Sequence, residues 1–228
     1  MNHLTTIFPE YFPSIRTFQK MSRSDVVFIL DDRPLRSGGK MNRMSIKTSA
    51  GKHYLTVPVY IPLHKKPIIR NLSIDSTRFW RKKHSKSLLV NYRNAPYFEH
   101  YWPVIETIFL RDYSDYMELF YESISVILSI LNMNPRFVTG SGFHPAGSRE
   151  EQILGILKKE SCRSYLIEAG SEAYFDGSVL EENGYSCVKV PDSRLEYPQQ
   201  FLGFESNLSV LDLVMNLGPE TKYYLMKN

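Results

Sequence analysis

The 228-residue chain is poor in cysteine and tryptophan, with two of each, and it has no long uninterrupted hydrophobic run. Cys162 and Cys187 are too few for a disulfide scaffold, and no C-x-x-C pair is present for metal or redox work. Both lie in apolar, strand-like surroundings, where a cysteine serves as a small buried hydrophobe. His53, His64, His100 and His144 show no H-x-x-x-H or H-E-x-x-H spacing, so a metal site has no motif behind it. A Walker loop, a G-x-G-x-x-G turn and a G-x-S-x-G elbow are also missing, which leaves no cofactor announced. "SISVILSILNMN" is the longest apolar segment, and it is too short and too serine-broken to span a bilayer. "MNHLTTIFPEYFP" carries an acid and two prolines where a secretion signal requires an unbroken apolar core. A cytoplasmic protein with no transmembrane segment is therefore expected.

A strong charge excess is missing as well. Lys and Arg number 28 against 24 Asp and Glu, a net charge of +4. That balance fits an anionic small ligand and falls short of a nucleic-acid footprint, which shows as a clustered basic stripe. What the chain does hold is aromatic surface, with 15 Tyr and 13 Phe. Tyrosine joins an apolar ring to a polar tip, so it lines polar clefts as well as filling cores.

No repeat, low-complexity tract or linker divides the chain. "TTIF" reads as a strand entering a proline-braced turn, after which Ser14 caps a helix through Met21. "DVVFIL" is a short continuous apolar run, the mark of a strand buried on both faces. Asp31 and Asp32 follow it, at the strand end where ligands gather in α/β sheets. "MSIKT" and "HYLTVPV" flank "SAGK" as a hairpin, and "PIIRNLSI" is a further strand candidate. From Ser76 the period becomes helical, with Ser76 or Thr77 as cap. "YFEHYWPVIETIF" makes one or two short helices, and "DYMELFYESISVILSILNM" a long one with Leu119, Ile127 and Ile130 buried. "RFVTGS", "SYLIEAG" and "YSCVKV" read as strands between helices, one of them opened by a Ser148–Glu151 capping box. "SNLSVLDLVMNLGPETKYYLM" makes two helices parted by Gly218 and Pro219. Such alternation implies a parallel sheet. The expectation is one α/β domain over residues 1–228, with a mixed, partly parallel sheet flanked by helices, a β-hairpin and a helical insertion.

The connector "DDRPLRSGGKMNR" gathers anion-seeking groups. Gly38 and Gly39 permit close backbone approach, Lys40 and Arg43 bring permanent charge, and Asn42 both donates and accepts. Such a run is either a solvated approach to the hairpin or a ligand cradle. In "FWRKKHSKS", Trp80 and His84 share a helix face while Arg81, Lys82 and Lys83 spread over the others. His84 is either a satisfied structural group or a general base. "GSGFHPAGS" is a loop before a capped helix whose N-terminus has the polarity to take an anion. Asn207, Asp212 and Asn216 recur among leucines, as caps and buried hydrogen bonds or as site members.

Taken together, "PEYFPSIRTFQKM", "DVVFILDD", "KMNRMSIKTSAGKHYLTVPV", "FWRKKHSKSLLVNYRNAPYFEHY" and "SNLSVLDLVMNLGPE" resemble the WbqC-like protein family in order and spacing. The resemblance implies a role in bacterial surface-polysaccharide (O-antigen) biosynthesis, attaching a glycyl-like aminoacyl or other acyl group to an amino sugar. The implied partners are a nucleotide- or lipid-linked amino sugar and an activated acyl or aminoacyl donor. On that reading His84 and Asp31 are the catalytic candidates. Tyr11, Lys40, Asn42, Arg43, Trp80, Asn207 and Asp212 are the substrate-binding candidates. Many relatives begin His-Gln-Pro-x-Tyr-x-Pro, whereas this chain reads Ile7-Phe8-Pro9-Glu10-Tyr11-Phe12-Pro13. If the leading histidine is the family's base, either His84 does the proton work here or the chemistry is altered. The alternative is a non-catalytic accessory protein of a polysaccharide-biosynthesis complex.

Overall fold

The computed structural model describes residues 2–35, 39, 41–63, 66–141, 143, 146–168, 174–191 and 196–227. β1 (His3–Ile7) leads into the proline turn, and Ser14 caps α1 (Ile15–Met21) by accepting from the Thr17 N–H. β2 (Val26–Ile29) is buried at all four positions, as a strand between two packed layers must be. β3 (Arg43–Thr48) and β4 (Gly51–Thr56) pair antiparallel as the hairpin. Three helices follow: α2 (Trp80–Tyr92), α3 (Phe98–Leu110) and α4 (Tyr116–Ile130). Strand and helix then alternate through β5 (Arg136–Thr139), α5 (Arg149–Lys159), β6 (Ser164–Glu168), α6 (Ser178–Glu182) and β7 (Ser186–Val190). α7 (Val210–Leu217) and α8 (Glu220–Met226) close the chain, parted by Gly218 and Pro219.

Some local expectations are corrected. "PIIRNLSI" holds a 3-10 turn at Ile69–Asn71 rather than a strand. Its N–H groups pair with separate partners, Ile69 with Arg33, Arg70 with Asp31 and Ile74 with Ser114, so no single ladder forms. Neither Ser76 nor Thr77 caps α2, because Asp75 takes the Thr77 N–H and hydroxyl into a local turn and the helix starts uncapped at Trp80. Ile130 ends α4 half-buried. α3 runs unbroken through Pro103, an interruption worth roughly 3 kcal/mol that the six buried residues Phe98, Tyr101, Trp102, Ile105, Ile108 and Phe109 offset.

The main sheet has the order β5-β2-β1-β6-β7, and every pairing in it is parallel. The antiparallel pairing of β3 and β4 stands apart as its own two-stranded sheet. Alternate residues face opposite layers. Ile7, Val27 and Ile29 join a large core with α1 to α4, α7 and α8, while Leu4, Val26 and Phe28 pack on α5 and α6.

In chain order the five strands read 3-2-1-4-5, so the winding reverses between β1 and β6. In open parallel sheets the crevice beyond the carboxyl ends at such a reversal is where ligands bind. Here the two strands pair only at His3 with Ser164 and Leu4 with Tyr165, whereas β1 and β2 stay paired to Ile7. Lys20 of α1 occupies the gap, donating to the Thr6 carbonyl at 3.2 Å and pairing with Glu168 at 3.2 Å.

Candidate functional site

Beyond that splay lies a cavity of about 250 Å³ lined from four distant parts of the sequence. The turn after β1 supplies Glu10, α1 supplies Ser14, Arg16 and Thr17, and the hairpin supplies Arg43, Ser45, Lys52 and Tyr54. Glu168 comes from the end of β6, and Asn207 and Ser209 from the approach to α7. Backbone bonds lock three of these four parts together, all but that of Glu168. Ile15 N–H donates to Leu208, Val210 N–H to Pro13 and Ser209 N–H to Ser45, at 2.9, 3.0 and 2.9 Å. Asn207 holds a left-handed φ of 50°, which asparagine tolerates, and its Oδ1 accepts from the Arg16 N–H at 3.3 Å.

Glu10 is the chemically distinctive member. Its Oε2 accepts from the Ser14 N–H and the Thr17 hydroxyl, both at 3.1 Å, which leaves Oε1 for the cavity. Burial raises its pKa above the usual carboxylate value, although those two bonds and the Lys20 charge pull it down. Around it stand the cations Arg16, Arg43 and Lys52. The cavity can therefore hold an anionic group at its rim while presenting a proton acceptor of enhanced basicity within.

The structure distributes the sequence candidates. Arg43 and Asn207 line this cavity together, with Arg43 exposed at the start of β3. Asn42 sits just outside, donating from Nδ2 to the Val57 carbonyl at 2.7 Å and so fastening the mouth of the hairpin. Tyr11, Trp80 and His84 make a buried aromatic cluster behind it. His84 Nδ1 lies 3.2 Å from the Tyr11 hydroxyl, its ring meets Trp80 at 5.2 Å, and it also bonds the Thr56 backbone. Burial lowers the His84 pKa to about 4, so the imidazole is neutral at physiological pH and a weak base. Asp31 lies past β2 on another part of the sheet edge. Its Oδ2 accepts from Ser141 at 2.7 Å, while Oδ1 is buried with no hydrogen bond among the described residues. Asp212 is fully buried and accepts from the hydroxyls of Tyr92 at 2.7 Å and Tyr197 at 2.6 Å. Lys40, Gly38 and His144 fall outside the described residues. Among those described, no cluster of three or more His, Cys, Asp or Glu side chains could hold a metal ion.

Glu10, Lys52 and Glu168 have no counterpart among the sequence candidates. Glu10 was visible in "PEYFPS", but only the parallel neighbourhood of β1 and β6 puts residue 168 near residue 10.

The three segments locked around this cavity lie within the motifs that carry the family resemblance, and the model of the WbqC-like protein family matches residues 8–224. The chain belongs to the WbqC-like protein family. An uncharacterized protein of Mycobacterium tuberculosis (strain ATCC 25618 / H37Rv), Rv1507c, is 28% identical to this WbqC-like chain over 229 residues, covering 99% of it and 98% of the relative. No solved structure matches the WbqC-like chain. No helix among its described residues is long and apolar enough to cross a membrane.

Proposed function

We propose that this WbqC-like protein transfers an aminoacyl, glycyl-like or other acyl group to the amine of an amino sugar in bacterial surface-polysaccharide biosynthesis. The observation that carries the reading is Glu10, a carboxylate of raised pKa facing a cavity ringed by Arg16, Arg43 and Lys52. An amine attacks only after losing its extra proton, so a base within hydrogen-bond reach is required. In the step, the amine nitrogen bonds to the donor's acyl carbon, the bond from that carbon to the leaving group breaks, and Glu10 Oε1 takes the amine proton. Arg43 and Lys52 hold an anionic group of the substrate, and Asn207 and Ser209 address sugar hydroxyls. At about 250 Å³ the cavity lies below the ~300–1,000 Å³ usual for whole ligands, so it takes the amine-bearing ring and leaves the carrier outside.

The test is mass spectrometry of the purified protein incubated with an activated glycine donor and a panel of nucleotide-linked amino sugars. A glycylated product that disappears with Glu10→Gln supports the reading. A product undiminished by that variant removes Glu10 as the base. No product across the panel, together with unchanged polysaccharide side groups after gene deletion, removes the transferase reading.

A further inference from the structure

A second and larger cavity, of about 470 Å³, opens on the opposite face of the sheet. It lies between the carboxyl ends of β1 and β2 and the first turns of α5. Its walls are of two kinds. Phe8, Leu35 and Ile153 present apolar surface, and Arg33, Lys66 and Arg149 present charge. None of its described lining residues is an Asp or Glu.

Both guanidiniums are steadied by neighbours without being used up. Arg33 donates from Nη2 to the Gln152 side chain of α5 at 2.5 Å and lies 3.6 Å from Asp32 through Nε. Arg149 donates from Nη1 to the Tyr174 carbonyl at 3.4 Å and lies over the Phe175 ring at 5.8 Å. A guanidinium carries five N–H donors, so each keeps several for a ligand. Three like charges over low-dielectric walls focus a positive potential into the cavity. The planar fork of arginine matches phosphate oxygens two at a time. The volume lies within the ~300–1,000 Å³ of ordinary small-molecule sites.

We infer that this cavity binds a phosphorylated small molecule, with its phosphates on Arg33, Lys66 and Arg149 and its flat or apolar body against Phe8, Leu35 and Ile153. A nucleotide and a prenyl phosphate share that chemistry. The inference does not depend on the transfer reaction proposed above, because the two cavities share no lining residue and binding needs no turnover.

Calorimetric titration with UDP, ADP, geranyl diphosphate and inorganic pyrophosphate, each at low and moderate salt, tests it. At least one organic diphosphate binds tenfold or more tightly than pyrophosphate, with affinity falling as salt rises. The double variant Lys66→Gln, Arg149→Gln weakens that binding at least tenfold, and Arg43→Gln in the first cavity leaves it unchanged. Lys66 and Arg149 are both exposed, so the double variant keeps the fold, checked by an unchanged melting temperature. Which organic probe binds separates a nucleotide from a prenyl source. Absence of binding by all four probes overturns the inference. So does pyrophosphate binding as tightly as the organic probes, or binding that survives the double variant or vanishes with Arg43→Gln.

Discussion

His84 is held neutral by burial among Tyr11, Trp80 and the Thr56 backbone, with its pKa lowered from 6.5 to about 4. The unfolded chain therefore binds a proton that the native state refuses over that window. Stability from this group is present above pH 6.5 and is lost as pH falls toward 4, by up to about 3 kcal/mol. Denaturant melts at pH 7 and pH 4.5 check this: wild type loses more stability on acidification than His84→Gln does, and equal losses would mean that the ring titrates freely. Glu10 runs the other way. Its folded pKa is raised by burial, so ionisation at neutral pH weakens the fold. Glu10→Gln is expected to raise the melting temperature at pH 7 while abolishing turnover, the pattern of a carboxylate retained for chemistry; a fall in melting temperature would make Glu10 a structural anchor. Arg43 is exposed, and Arg43→Lys keeps its charge but loses the fork. Substrate affinity should drop by ~1.5–3 kcal/mol in titrations while thermal stability barely moves, and unfolding instead would assign Arg43 to the scaffold.

At the scale of elements, the join between α7 and α8 shows why the chain breaks where it does. Gly218 adopts φ 55° and ψ −127°, and a Cβ there would sit 2.4 Å from the Tyr97 ring. Backbone strain and ring displacement act together, so Gly218→Ala is expected to cost about 2–3 kcal/mol in equilibrium unfolding. A loss under about 0.5 kcal/mol would show that Tyr97 moves aside freely. The capping box of α5 is the contrasting case. Its Ser148 and Glu151 bonds, at 3.2 and 2.6 Å, use only residues three apart, which is why the motif was readable without any tertiary knowledge.

For the molecule as a whole, Asp212 is the point where distant parts are tied. Burial raises its pKa, opposed by the Tyr197 and Tyr92 hydroxyls and the charge of Lys47. Lys47 is itself buried on β3 and reaches the carbonyls of Phe201 and Gly203. The hairpin, α2, α7 and the segment before α7 thus meet through one carboxylate. Asp212→Ala would strand two buried hydroxyls and remove the negative charge near the buried Lys47 ammonium, a loss expected near ~3–5 kcal/mol. Asp212→Asn keeps the shape and an acceptor and should cost less than half of that in the same denaturant melts. Equal losses would locate the effect in the charge alone.

Several elements were legible because their cause is local. The buried run of β2, the hairpin around Gly51, the Ser14 and Ser148 caps and the Gly218 break all follow from residues within a few positions of each other. The alternation after residue 136 likewise announced parallel strands, since a crossover helix returns the chain in the same direction. "PIIRNLSI" resisted because its apolar spacing suits a strand, yet its N–H groups find partners on separate loops rather than on one neighbour. The candidate site was legible only in pieces. Arg43 and Asn207 could be picked out by residue type, but their meeting with Glu10 and Glu168 depends on where β1 and β6 cease to pair. His84 and Asp31 carry chemistry that suits a site, and tertiary packing gave them other partners, Tyr11 for one and Ser141 for the other. Local hydrogen bonding and hydrophobic period set the elements. Strand order, a property of contacts between residues up to 161 positions apart, set the cavity.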